Sequence, residues 1–145
     1  MTALHLCTSD DAPRLIALAA QADTEAGRSR TSEKLDEAYR PLCEGTPHGA
    51  VWLLGPRVSP VGFACLSFGW SPEAGGLVGH IEQLWIRTGV RGRGMASDVL
   101  LGLGTALAGS GVSHLSAYVP AEATTLFNRT GFRSQDGGQL FVRKL

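Results

Sequence analysis

Residues 77–108 carry the pattern that most limits how this chain can fold. Leu77 to Arg87 is dense in apolar side chains on both faces, which suits a central strand covered by helices on either side. The run leads into Thr88-Gly89-Val90-Arg91-Gly92-Arg93-Gly94, and from about Gly94 to Ala108 the residues Met95, Val99, Leu103 and Leu107 recur every four positions until Gly109-Ser110-Gly111 stops them. That is a strand, a glycine-rich turn and a helix with one apolar stripe. Successive glycines let several backbone N–H groups converge, the helix start adds partial positive charge, and Arg91 and Arg93 add formal charge. Glycines alone would mean only a tight turn; glycines, arginines and a helix start together make an anion cradle.

The nature of the anion can be narrowed. A nucleoside-triphosphate loop ends in Gly-Lys-Ser/Thr, and the chain contains no Gly-Lys pair. A dinucleotide fingerprint fits poorly as well, because Gly92-Arg93-Gly94-Met95-Ala96 is followed by Ser97 and no acidic residue ends a strand about 20 positions on.

Around this unit the chain reads as short alternating elements. Leu4 and Leu6 mark a first strand; Ser9 or Asp10 caps a helix that accepts Pro13 early and buries Leu15, Ile16, Leu18 and Ala19. Gln21 to Arg30 turns polar and reads as a mobile loop, and Thr31 or Ser32 with Glu33 starts a short helix to about Tyr39, stopped by Pro41. Gly49–Gly55 and Val61–Ser67 are strands joined through Pro56 and Pro60, a second turn covers Ser71–Gly76, and Val112–Val119 forms the strand after the long helix. Ala121–Thr130 is a short helix ended by Gly131, and Gln139–Arg143 a last strand. The expected order is strand, two helices, three strands, helix, strand, helix, strand. That order describes one mixed, mostly antiparallel α/β (α+β) sheet with helices on both faces, spanning residues 1–145 as a single domain.

Composition removes several function classes. With 145 residues and 43% apolar content the chain can bury one sizeable core. Thirteen basic and thirteen acidic residues leave no net charge, so the electrostatic footprint of a nucleic-acid or membrane-surface binder is missing. No apolar run approaches the roughly 20 residues of a membrane span. Cys7, Cys43 and Cys65 are odd in number and lack metal or dithiol spacing, so they read as buried apolar residues with no metal expected. Met1 to Cys7 has no basic leader and is followed by Asp10 and Asp11, which makes the cytoplasm the expected location.

Arg91-Gly92-Arg93-Gly94-Met95-Ala96 resembles the Arg/Gln-x-x-Gly-x-Gly/Ala signature of the GCN5-related N-acetyltransferase (GNAT) superfamily. Ile81-Glu82-Gln83-Leu84-Trp85-Ile86 looks like that family's fourth strand, and Ala123-Thr124-Thr125-Leu126-Phe127-Asn128-Arg129-Thr130-Gly131-Phe132 is similar to its late helix. The stretch Gly62 to Leu100 carries a fainter likeness to the diamine and polyamine branch.

The resemblance implies an acyl-CoA-dependent transferase that passes the acetyl group of acetyl-CoA directly to a primary amine of a small molecule: a polyamine, an amino acid or an aminoglycoside-like compound. The amides of Arg91, Gly92, Arg93, Gly94, Met95, Ala96 and Ser97 would hold the pyrophosphate, and the backbone of Leu84, Trp85 and Ile86 the pantetheine arm, with Phe127 and Asn128 alongside. An N–H near Ile86 would polarise the thioester carbonyl. Glu82 aligns with the carboxylate many members use as general base, often through water, and reads either as that base or as a ligand or ion-pair partner for a cationic substrate. An amine near pKa 10 costs roughly 4 kcal/mol to deprotonate at pH 7, which an ordinary glutamate near 4.3 does not cover unaided. His80, two residues earlier on the same strand face, reads as a proton carrier or as a structural residue.

Two positions depart from the family pattern. Phe127 stands where a tyrosine acid is frequent, and Pro120 where an asparagine is common. CoA then leaves with help from water or from Tyr118, or the protein is a catalytically weak acyl-CoA-binding module; thiols near pKa 8.5 leave without much assistance. Asp23, Glu25, Glu33, Glu44 and Glu73 form either a cation-accepting mouth or a solvated face. Trp85 reads as packing, Trp70 as packing or as a cation-π floor. A homodimer is implied only by the resemblance, through the last strand or the third strand's edge.

Overall fold

The computed structural model describes residues 1–145. Five strands form one sheet in the order β1-β2-β3-β4-β5: β1 (Leu4–Leu6), β2 (Gly49–Leu54), β3 (Gly62–Ser71), β4 (Gly76–Ile86) and β5 (His114–Ala117). The first four pair antiparallel and β5 runs parallel to β4. Four helices cover it: α1 (Ala12–Ala26), α2 (Ser32–Cys43), α3 (Met95–Gly109) and α4 (Thr124–Arg129), with short 3-10 turns at Ser9–Asp11, Thr88–Val90 and Ala121–Ala123. This is the expected mixed, mostly antiparallel sheet with helices on both faces.

Strand alternation divides the core. On β3, Phe63 and Cys65 point to the α1/α2 face, where they meet Leu15, Leu18, Leu35 and Tyr39; Ala64 and Leu66 point to the opposite face, where α3 lays down Val99, Leu100, Leu103 and Leu107. Each fully buried leucine or phenylalanine contributes roughly 1.5–3 kcal/mol, so both layers are needed to hold the sheet.

Several boundaries differ from the sequence reading. The polar stretch from Gln21 is not loop as far as Ala26: α1 continues there because Ala22 and Asp23 are still buried, and it ends at Gly27, whose φ of 74° suits a residue without a side chain. Pro41 does not stop α2. It costs the last turn one hydrogen bond, but Leu42 packs on the core and Cys43 is buried, which keeps that turn in place. Strand β3 extends to Ser71 because Phe68 to Ser71 find partners in β4 from Gly79 back to Gly76. The strand expected at Gln139–Arg143 does not form: residues 133–145 have no regular structure, and no backbone hydrogen bond joins them to the sheet. A single strand of that length needs a neighbour to be stable.

Two buried carboxylates anchor the α1/α2 layer. Asp11, only 1% exposed, accepts bonds from Arg57 Nη2 at 2.7 Å, Arg14 Nη2 at 2.6 Å and the Thr8 backbone N–H at 2.8 Å. Arg57 first, then the Thr8 amide and Arg14, hold its carboxyl well below the usual range against the opposing pull of burial. A depressed folded-state pKa means that the stabilisation is complete above the unfolded value near 3.9 and fades as pH falls toward the folded one. Asp11→Asn is therefore expected to lower stability at pH 7 by about 2 kcal/mol, since the arginines it abandons can rehydrate, and to flatten the loss of stability below about pH 4. Thermal melts of both proteins from about pH 7 down to about pH 2, through the range below the unfolded value where the loss develops, check this; equal acid sensitivity would refute it.

Candidate active site

The site lies where β4 and β5 part. Parallel pairing runs from Val78↔His114 to Ile81↔Ala117 and stops there. Beyond it β4 continues to Ile86, bonded only to β3. Arg87 N donates to Val61 O at 2.8 Å, so by antiparallel alternation the amides of Trp85 and Gln83 also serve β3, while those of Leu84 and Ile86 point to the open side. A Cβ on Gly62, opposite Ile86, would collide with the Trp85 carbonyl, so this glycine lets β3 sit close against the exposed part of β4. The opening is a cavity of about 740 Å3, walled by β4, the start of α3, α4 and the end of α1.

The cradle forms the far end of this opening. Gly92 and Gly94 have φ of 82° and 75°, the left-handed region that only glycine enters at little cost, and neither would meet anything within 4 Å if it carried a Cβ. Backbone conformation, not crowding, requires glycine there. Gly94 caps α3 without a side-chain bond, and the first α-type bond is Asp98 N to Gly94 O at 3.1 Å. The N–H groups of Met95, Ala96 and Ser97 therefore have no partner within the helix and lie at the cavity wall. Free amides, the positive end of a four-turn helix and the bare glycines Gly92 and Gly94 on the turn suit a pyrophosphate, and the apolar slot along Leu84, Trp85 and Ile86 suits an extended arm that bonds to backbone. The residues present fit acetyl-CoA.

Arg91 is engaged elsewhere. Its Nε donates to Ile86 O at 2.7 Å, and its Nη2 lies 2.7 and 2.9 Å from the two carboxylate oxygens of Glu25. Glu25 also accepts from Thr88 Oγ1 at 3.2 Å and Trp85 Nε1 at 3.3 Å, and Arg91 chiefly holds its carboxyl below the usual range. This cluster ties the end of α1 to the beginning of the cradle. A second network does the same for β4: Asp23, buried, takes Arg30 at 2.8 and 2.9 Å, Arg30 reaches Tyr39, and Tyr39 donates to Gln83 Oε1 at 2.5 Å.

Glu82 stands at the mouth of the opening. Cys65 pairs with Gln83 and Leu66 with Ile81, so Glu82 is the extra residue of a β-bulge. Its Oε1 accepts from Ser67 Oγ at 2.7 Å. Beside it, His80 Nδ1 lies 2.8 Å from Ser116 Oγ, across the β4/β5 seam. Tyr118 is 76% exposed on the other bank of the cavity, and Phe127 lines it while stacking edge-on against Phe132 at 5.0 Å.

The remaining sequence candidates fall as follows. Leu84, Trp85, Ile86, Arg91, Gly92, Gly94, Met95, Ala96 and Ser97 line the cavity together with Glu82; Arg93 and Asn128 do not. Trp85 packs on Phe63 at 6.2 Å, whereas Trp70 is 73% exposed at the β3/β4 hairpin. The acidic mouth is not assembled: Asp23 and Glu25 are held by arginines, and Glu33, Glu44 and Glu73 lie outside the cavity. Pro120 lines the wall. Sequence reasoning missed Arg28 and Arg129, which also line it; Arg129 Nη2 donates to Ser97 Oγ at 3.0 Å and sets a cation beside the cradle. Only the position of Arg129 at the end of the late helix hinted at this.

The cysteines stand apart from the chemistry. A hydrogen bond with Cys43, then burial, pushes the Cys7 thiol far up, and burial pushes Cys65 up to about 12. The same hydrogen bond lowers the Cys43 thiol, and all three cysteines are buried and none lines the cavity. No helix is long and apolar enough to cross a membrane, and no cluster of three or more His, Cys, Asp or Glu could hold a metal ion.

Comparisons with known proteins agree with this geometry. A search of curated protein sequences found no match. Among solved structures, an integron cassette protein from the mobile metagenome of Cole Harbour Salt Marsh is 26% identical with a TM-score of 0.86, covering 98% of this chain and 90% of its own. A predicted acetyltransferase of Clostridium acetobutylicum, solved with acetyl-CoA, is 13% identical with a TM-score of 0.77, covering 98% of this chain and 96% of its own. The aminoglycoside N-acetyltransferase AAC(6')-Iy, solved with CoA, is 12% identical with a TM-score of 0.77, covering 100% and 96%. The model of the acetyltransferase (GNAT) family matches residues 13–132, a span that includes β4, the cradle, α3 and α4. The chain belongs to the GNAT family and is an acyl-CoA-dependent N-acetyltransferase with acetyl-CoA as its co-substrate.

Proposed function

We propose that this enzyme, acting as one domain over residues 1–145 and in the cytoplasm, acetylates a primary amine of a small molecule. The observation that carries the reading is the position of Glu82: the bulge turns it out of the strand ladder at the point where β4 and β5 separate, beside the stretch of β4 whose free amides face the co-substrate slot. An amine bound at this carboxylate reaches the thioester carbonyl from the open face. The nitrogen forms the new C–N bond, the Ile86 N–H stabilises the developing oxyanion, and the C–S bond breaks as the intermediate collapses. Glu82, directly or through a water, receives the amine proton. The CoA sulfur leaves as thiolate or takes a proton from solvent or Tyr118, which lines the same cavity.

Ser67, His80 and Ser116 surround Glu82 with hydrogen-bonding groups, while the other acid of the cavity, Glu25, is neutralised by Arg91. Such a surface favours an acceptor that places one cationic amine at Glu82 and lays a polar body along the adjoining strands. Acetyl-CoA turnover against diamines, polyamines, amino acids, aminoglycosides and peptides, read by mass spectrometry, tests this. Acetylation of one small-molecule class is expected; acetylation of peptides alone would overturn it.

A further inference from the structure

The hydrogen-bond chain that ends on Gln83 has its direction fixed at the other end. Buried Asp23 can only accept, and it takes Nε and Nη2 of Arg30 at 2.8 and 2.9 Å. A guanidinium can only donate, so the Arg30 contact at 3.2 Å makes Tyr39 Oη the acceptor, and Tyr39 passes its own proton to Gln83 at 2.5 Å. The side chain of Gln83 therefore turns its oxygen toward Tyr39. Its amide nitrogen, with two N–H donors, makes no hydrogen bond within the chain, and Gln83 lines the active-site cavity.

The bulge sets this donor beside Glu82. Gln83 pairs with Cys65, while Glu82 bonds to Ser67, two positions further along β3. Cys65 and Ser67 point to the same face of the sheet, so the consecutive residues Glu82 and Gln83 do as well, which an unbroken strand would not permit. Neighbouring Cα atoms are about 3.8 Å apart, so a group bound at Gln83 lies within a few bonds of an amine bound at Glu82. Charge completes the pattern. Arg28, which also lines the cavity, shares Asp23 with Arg30, and two guanidinium groups on one carboxylate leave one positive charge uncompensated. Arg28 has the weaker hold, its nearest contact being Nε at 3.4 Å. Glu25 is neutralised by Arg91 and does not answer it.

Resting on the reading that Glu82 receives a small primary amine, we propose that the acceptor carries a carboxylate within a few bonds of that amine, as an amino acid does. Gln83 Nε2 and Arg28 bind the carboxylate, and Tyr39 is a positioning residue that keeps the donors of Gln83 turned toward it. Without the Tyr39 hydroxyl the amide of Gln83 can turn over and present its oxygen, which repels a carboxylate. A zwitterion answers Glu82 and Arg28 at once. A diamine or an aminoglycoside would leave Arg28 facing a second cation.

Acetyl-CoA turnover by the full chain on matched sets, each an amino acid, its carboxamide and the amine that lacks the carboxyl group, tests this. From acid to amide kcat/KM is expected to fall about fivefold, because the charge of Arg28 goes unanswered. From acid to bare amine the fall should be about 30-fold, because Gln83 loses its partner too. Arg28→Gln should bring acid and amide to within about twofold of each other. Tyr39→Phe keeps the buried ring and should narrow the preference for acid over bare amine about tenfold, through KM, whereas a loosened fold would slow every substrate alike. Amino acids acetylated no better than their amides, or a preference that survives Arg28→Gln or Tyr39→Phe, would overturn the proposal. Acetylation confined to polyamines or aminoglycosides would overturn it too and leave the small-amine reading standing; failure of every small amine would remove both.

Discussion

Gly94→Glu is expected to weaken acetyl-CoA binding by about two orders of magnitude while the protein stays folded. Gly94 has φ of 75° and caps α3, so any side chain there pays a left-handed backbone penalty of roughly 1–2 kcal/mol. Nothing lies within 4 Å of the position a Cβ would take, so the core is untouched and the strain falls on the turn. The added carboxylate stands beside the free N–H groups of Met95, Ala96 and Ser97, competes for them and repels the pyrophosphate; each effect is worth about 1 kcal/mol or more near a helix N-terminus. Together they give the hundredfold loss. Calorimetric titration with CoA measures it, and Gly94→Ala, which carries the strain without the charge, should lose about tenfold. If Gly94→Glu binds CoA as the wild type does, the cradle is not where the phosphates sit.

The cradle was legible because everything that makes it lies within seventeen consecutive residues. Strand, glycines, arginines and helix are contiguous from Ile81 to Ser97, and local periodicity reports contiguous features. The bulge at Glu82 was not legible: one unpaired residue shifts the register by one and leaves the composition of β4 unchanged. The fate of Arg91 was hidden for another reason. Its partner Glu25 lies 66 residues away on a stretch whose polarity reads as loop, and nothing local says that α1 continues under it. The same holds for Arg129 and Ser97, 32 residues apart. For Gln139–Arg143 the local pattern does favour a strand, but strands exist only in pairs, and no sequence pattern names the partner.

Glu82→Gln is expected to lower kcat/KM by 10²–10³-fold, roughly the share a positioned base commands, with acetyl-CoA affinity unchanged. The affinity should hold because Glu82 touches neither the cradle nor the amides of Leu84 and Ile86; its one bond is from Ser67, and glutamine can accept it equally well. The proton is what the amide cannot take. An amine near pKa 10 arrives protonated at pH 7, at a cost of roughly 4 kcal/mol for the free base, and the variant can use only the small fraction that solvent has already deprotonated. Its rate should therefore climb about tenfold for each pH unit and converge toward the wild-type rate as the pH approaches that of the amine. This separates the two roles open to Glu82. A carboxylate that merely held the ammonium group would, when replaced, raise KM for the amine and leave kcat and its pH dependence alone. Steady-state kinetics across the pH range, on the amine that the turnover panel identifies, distinguishes them, and an unchanged kcat would remove Glu82 from the proton path.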